Sequence, residues 1–249
     1  MITLKNEREI AQLRESGRIV AETLKELENA LVPNMSTLEL DEIAEDYIRK
    51  KGATPSFKGY NGFSGSICTS PNEVVVHGIP SDDVIIKEGD IISLDCGAYL
   101  NGYHGDAART LACGEISEAA SNLIEATKNS FYQGLEQCVI GNRIGDIGHA
   151  VQVYAENLGY GVVRDFCGHG IGKNLHEDPQ VPNYGKPGFG ARIKKGMCLA
   201  IEPMINEGTY EVEVLDDDWT TVTRDGKLAA HYENSIAITE DGAVILTDL

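Results

Sequence analysis

Apolar residues recur at helical intervals from the start of the chain. Ile10, Leu13, Val20, Leu24, Leu27 and Leu31 fall on one stripe, and Pro33 closes the run, which predicts a long first helix. A second helix is expected directly after it. Ser36 and Glu39 have capping-box spacing, Leu40, Ile43 and Tyr47 make an apolar face, and Gly52 supplies a stop. From Ser117 to about Gly159 the plan repeats: a long helix through Leu123 and Leu135, a break at Gly141-Asn142, then a helix carrying Ile147, Val151 and Tyr154. After each helical pair the pattern turns strand-like, in EVVVHGIP, DVIIKEGDIISLDCGAYLNGYHGDAART and KKGMCLAIEPMI, and in a meander from Trp219 turning at Asp225-Gly226 and Asp241-Gly242. This order predicts an α+β fold of two related halves, about 1–114 and 115–249, meeting along a shared sheet. No linker or low-complexity stretch divides them, so residues 1–249 are expected to form one domain.

Composition narrows the classes of function. With 42% hydrophobic residues the chain can bury a substantial core. Lys and Arg number 21 against 39 Asp and Glu, and the resulting charge of −18 repels nucleic acid and anionic membranes alike. The six cysteines, Cys68, Cys96, Cys113, Cys138, Cys167 and Cys198, form no CxxC pair, so neither a zinc knuckle nor a disulfide framework is suggested. The start of the chain alternates charged with apolar residues and lacks the unbroken apolar run of a signal peptide or membrane span. A soluble protein of the reducing cytoplasm is expected.

The segment ISLDCGAYLNGYHGDAART carries the most chemistry. Asn101-Gly102 reads as a two-residue hairpin turn, which pairs Leu100 with Tyr103 and therefore Gly97 with Asp106. Asp95 then points to the same face as Asp106, diagonally across at roughly 7 to 8 Å, within reach of one cation cluster. Glu202 in LAIEPMI and Glu233 in LAAHYENSIAIT sit within apolar strands, where charged residues are rare unless paired or bound to metal. FCGHGIGKNLHEDP adds His169 and His176 in a glycine-rich stretch that lacks the spacing of a phosphate loop. Taken singly, each of these is a solvated aspartate, a strand-edge glutamate or a satisfied structural histidine. Converging, four carboxylates would repel one another, and two divalent ions would cancel the charge. An oxygen-rich donor set with one imidazole suits Mn²⁺, Fe²⁺ or Co²⁺, with Zn²⁺ also able to bind.

The ordered set NEVVVHGIP, LDCGAYLNGYHGDAART, FCGHGIGKNLHEDP, AIEP and HYENSIAIT resembles the type I methionine aminopeptidases of bacteria, over nearly the whole chain. The resemblance implies the pita-bread fold and a dinuclear metal hydrolase that removes N-terminal methionine from nascent proteins and peptides, favouring a small second residue. It implies that Asp95 chelates one metal, Asp106 and Glu233 bridge, and His169 and Glu202 complete the other. His77, His176 and Glu202 become the catalytic residues. Glu202 takes the proton of the attacking water, His176 stabilises the oxyanion, and His77 positions or protonates the leaving nitrogen. Tyr60, Phe63, Cys68, His77, Leu175, His176 and Trp219 are expected to bind substrate, the apolar ones lining a slot for the thioether. Leu175 departs from the pattern, since relatives often carry an aromatic residue before this histidine. The expected state is a monomer.

Three rivals share parts of this pattern. Proline-directed aminopeptidases and prolidases use the same fold and ligands but usually carry an extra N-terminal domain. Type II methionine aminopeptidases carry a helical insertion, for which the interval from His176 to Glu202 is too short. A non-catalytic binding protein on the same fold would have lost ligands, and here all five are present.

Overall fold

A computed structural model describes residues 1–249. Helix α1 (Glu7–Ala30) starts where Asn6 and Glu9 satisfy each other's backbone donors, and Leu31 caps its end just ahead of Pro33. Helix α2 (Thr37–Lys50) carries the expected capping box of Ser36 and Glu39, and Gly52 follows at φ 79°. Its buried face is Thr37, Leu40, Asp41, Ala44 and Ile48, so the expected face through Ile43 and Tyr47 is rotated and only Leu40 is fully shared. The reason is Asp41, whose carboxylate turns inward to accept the backbone N–H groups of Ser66 at 2.7 Å and Ile67 at 2.9 Å.

The first half continues with β1 (Thr54–Pro55), β2 (Ile67–Pro71), β3 (Val74–Val76), β4 (Ile91–Leu100) and β5 (Tyr103–Ala112). In the strand-like run from Asp83 to Asp90 only Ile85 pairs, in an isolated antiparallel bridge to Ser36, and the run ends in a turn where the Asp90 carboxylate accepts Lys87 N–H at 2.7 Å. Helices α3 (Glu118–Glu136) and α4 (Ile144–Asn157) then repeat the helical pair. Short strands follow: β6 (Gly161–Val162), β7 (Gly168–Gly170), β8 (Glu177–Val181), β9 (Cys198–Ile201) and β10 (Met204–Asn206). The chain ends with β11 (Val212–Val214), β12 (Thr221–Thr223), β13 (Ala229–His231), β14 (Asn234–Thr239) and β15 (Gly242–Ile245). The last turn is shifted from expectation: Thr239 pairs with Gly242, so Glu240 and Asp241 form it.

Every strand pairing is antiparallel. The pairings make four ladders: β1-β4-β2 with β5 also on β4, β13-β10-β6, β11-β12-β3, and β15-β14-β9-β7-β8. The first and last are stitched together where Ala108 and Glu233 exchange backbone hydrogen bonds of 3.4 and 3.0 Å. Asp106 N–H also donates to Ser235 Oγ at 3.1 Å across the same seam. Helices α1 and α2 cover the first ladder through Val20, Leu27, Leu40, Ile48, Ile67 and Leu94. Phe131 of α3 and Ile147 of α4 cover the last through Leu199 and Ile236. Each such side chain contributes about 1.5–3 kcal/mol by leaving water. With apolar layers outside, the seam between the ladders is left to polar residues.

Candidate active site

The Asn101-Gly102 turn has both residues at positive φ, 51° and 92°, the conformation that follows the twist of a hairpin. It pairs Leu100 with Tyr103 and Gly97 with Asp106, which brings Asp95 and Asp106 to one face. The seam places Glu233 beside Ala108 on that face, just before β14 begins. Glu202 lies directly after β9, where Pro203 ends the ladder by removing a donor. His169 is the centre of β7. A Cβ on its neighbours would fall 2.3 Å from Ala200 O at Gly168 and 2.2 Å from Asp178 O at Gly170. Only glycine on both sides lets β7 sit between β9 and β8, and that is the work of the GHG run.

These elements converge. His169 Nε2 stands 3.8 Å from Asp106 Oδ2 and 3.6 Å from Glu202 Oε1. One ligand atom each from Asp106, His169 and Glu233 lies within 4.8 Å of the others. The Nδ1–H of His169 donates to the Gly170 carbonyl at 2.8 Å, which leaves the Nε2 lone pair facing the carboxylates. Burial lowers the His169 pKa to about 3, so the ring is neutral at neutral pH.

Electrostatics and unmet hydrogen bonds show what the cluster fits. Burial raises the Asp95 pKa to about 7. Burial and then the neighbouring carboxylates hold Asp106, Glu202 and Glu233 well above the ordinary range. Asp95 Oδ1, Asp106 Oδ1 and Glu233 Oε1 are buried without any hydrogen-bond partner. Four mutually repelling carboxylates, three with orphaned oxygens, and one neutral imidazole are a donor set for divalent cations.

The cluster forms the floor of a cavity of about 390 Å³ lined by 14 residues. All of the sequence-derived positions line it: Tyr60, Phe63, Cys68, His77, Asp95, Asp106, His169, Leu175, His176, Glu202, Trp219 and Glu233. The wall is aromatic, with Phe63 edge-on to Trp219 at 5.0 Å. His77 stands edge-on to Phe166 at 5.2 Å and to Trp219 at 6.2 Å, on a backbone at φ 60°. His176 stands at the mouth, its ring 4.2 Å from that of His169 and its Nδ1 2.7 Å from the Tyr60 hydroxyl.

Sequence reasoning missed Phe57 and Asn61 on the lining. The three-residue recurrence of Phe57, Tyr60 and Phe63 is a signal that could have found the first. It also missed His231, whose buried ring brings Nε2 to 4.0 Å from Glu233 Oε2 across the short link between β13 and β14. Lys5 had no local signal. It pairs with Glu177 at 2.6 Å across 172 positions of sequence, next to His176.

No helix is long and apolar enough to cross a membrane. The sequence pattern of metallopeptidase family M24 matches residues 11–240. A methionine aminopeptidase of Clostridium acetobutylicum is 61% identical over 247 residues, covering 99% of each chain. The solved methionine aminopeptidase of Thermotoga maritima superposes with a TM-score of 0.98 at 43% identity, covering 100% of both chains. A prolidase of Pyrococcus furiosus shares the fold with a TM-score of 0.80 at 22% identity, over 99% of this chain but 65% of its own.

Proposed function

The chain belongs to metallopeptidase family M24, with methionine aminopeptidases among its relatives of high identity, and from that premise we propose that it hydrolyses N-terminal methionine from peptides and newly made proteins. The observation that carries the reading is the floor of the cavity. Buried carboxylates with unmatched oxygens lie in a cavity of about 390 Å³ whose wall is aromatic. Asp95 would hold one divalent ion, Asp106 and Glu233 would bridge, and His169 with Glu202 would hold the second. When bound, two such ions would polarise the scissile carbonyl and lower the pKa of the attacking water.

The chain's own residues divide the remaining work. Glu202 accepts the proton of the attacking water. His176, at the mouth beside the cluster, donates a hydrogen bond to the oxygen that becomes negative. His77 faces the leaving nitrogen and orients it or gives it a proton. Tyr60, Phe63, Cys68, Leu175 and Trp219 wrap the methionine side chain, whose thioether packs well against aromatic edges. Burial pushes the Cys68 thiol well above its usual pKa, so it packs as a neutral apolar group. As in the methionine aminopeptidases it resembles, a small second residue would be favoured. We place the enzyme in the cytoplasm as a monomer, where its six unpaired cysteines suit a reducing compartment.

The test is product identity. Metal-free protein is given Mn²⁺, Fe²⁺, Co²⁺ or Zn²⁺ and then Met-Ala-Ser, Met-Lys-Ser and Ala-Pro-Ser. Metal-dependent release of methionine, faster from Met-Ala-Ser than from Met-Lys-Ser, is expected. Preferential cleavage of Ala-Pro-Ser would assign a proline-directed enzyme instead, and no cleavage of any peptide would leave a binding protein.

A further inference from the structure

Tyr60 does more than wall the methionine slot. It is delivered to the cavity by a tight turn, Gly59 to Gly62, in which Gly59, Asn61 and Gly62 all have positive φ, at 83°, 49° and 93°. Its hydroxyl lies 2.7 Å from His176 Nδ1, and the two rings lie 5.2 Å apart at 39°. His176 is the only group to which this hydroxyl is hydrogen-bonded. Burial, and then the charge of Asp106, hold the phenol above its ordinary pKa, so it keeps its proton as a donor. A neutral imidazole has one N–H and one lone pair, and the partner of one nitrogen decides the state of the other.

We propose that Tyr60 is a positioning residue for His176: its O–H donates to Nδ1 and holds the ring in the Nε2–H tautomer, with that proton left to face the substrate. The two adjacent histidines then have opposite tautomers. His169 gives its Nδ1 proton to the Gly170 carbonyl and presents a lone pair at Nε2, as a cation ligand requires. His176 has its Nδ1 lone pair occupied by Tyr60 and presents a donor at Nε2, as a developing oxyanion requires. Without the phenol, the Nδ1–H tautomer of His176 would become accessible. In that form Nε2 would turn a lone pair toward the carbonyl oxygen and repel it. The inference rests on the oxyanion role given to His176 above.

The experiment uses Tyr60→Phe, which keeps the ring and removes the hydroxyl. In full-length, zinc-loaded and metal-free protein carrying ¹⁵N-histidine, the His176 signals are assigned by their loss in His176→Ala. The wild type should show a protonated Nε2 and a lone-pair Nδ1. In Tyr60→Phe the two shifts should move toward each other as tautomers mix. Turnover should fall about tenfold, with KM and the methionine-to-norleucine preference nearly unchanged. In a His176→Ala background the same substitution should cost nothing further. A protonated Nδ1 in the wild type, or shifts that ignore Tyr60→Phe, would overturn the proposal. So would an equal loss of turnover in the His176→Ala background, or a rise in KM alone, which would make Tyr60 only a wall. Wild-type turnover in His176→Ala would instead refute the oxyanion role itself, while the NMR signals still report whether Tyr60 fixes the ring.

Discussion

His77 occupies a backbone conformation with φ at 60°, and burial lowers its pKa to about 4 from an ordinary value of 6.5. Between those two pH values the unfolded chain binds a proton that the folded chain refuses. The stability this group contributes is therefore complete above pH 6.5 and is lost as the pH falls toward 4. His104 and His231 act in the same direction, with pKa values lowered by burial to about 4 and about 3. A comparison with His77→Asn, a residue that tolerates positive φ, isolates the contribution of His77. In metal-free protein, moving from pH 7.5 to 5 should cost the wild type about 1–2 kcal/mol more unfolding free energy than the variant. Urea titrations at both pH values measure the difference. Equal pH dependence in the two proteins would mean that His77 is not held neutral by burial.

The loop from Gly172 to Glu177 carries Leu175 and His176, and the element that fixes it comes from the other end of the chain. Lys5 is buried, pairs with Glu177 at 2.6 Å, and is itself anchored by its backbone N–H donating to the Gly196 carbonyl at 2.7 Å. Glu177 in turn accepts the backbone N–H of Asn174 at 3.2 Å. Removing one partner of a buried pair strands the other charge. Lys5→Met should therefore destabilise the protein by about 3 kcal/mol and lower turnover through the loosened loop. Adding Glu177→Gln should restore much of the stability. Denaturant unfolding and steady-state kinetics on the two variants check this, and a Lys5→Met enzyme with unchanged midpoint and turnover would disprove the anchoring role.

Across the whole molecule, the acidic cluster opposes folding until its charge is matched. Asp95 and Asp106 come from the first hairpin and His169, Glu202 and Glu233 from the second half, so ions bound there would tie the two halves together. Mn²⁺ at a hundredfold excess over its dissociation constant should stabilise the chain by about 2.7 kcal/mol, raising a single unfolding transition by several degrees. Asp106→Asn removes one of four repelling carboxylates, so its metal-free form should melt at or above the wild-type temperature while gaining little from added metal. Calorimetry with and without Mn²⁺ separates these effects. Two transitions, of which only one responds to metal, would contradict a site shared between halves that unfold together.

Much of this was legible in the chain itself. Asn101-Gly102 fixed the register of its hairpin, and with it the shared face of Asp95 and Asp106, because turn type and the two-residue strand period act within a few residues. Ser36 and Glu39 marked a helix start for the same local reason. The inward Asp41 of α2, the turn at 87–90, the His231–Glu233 approach, the Lys5 anchor and the Tyr60–His176 hydrogen bond were not legible. Each depends on which surfaces the ladders and helices press together. Local periodicity determines which face of an element is apolar. Only packing over the whole chain decides which polar groups at the seams are stripped of water and must find partners far away in sequence.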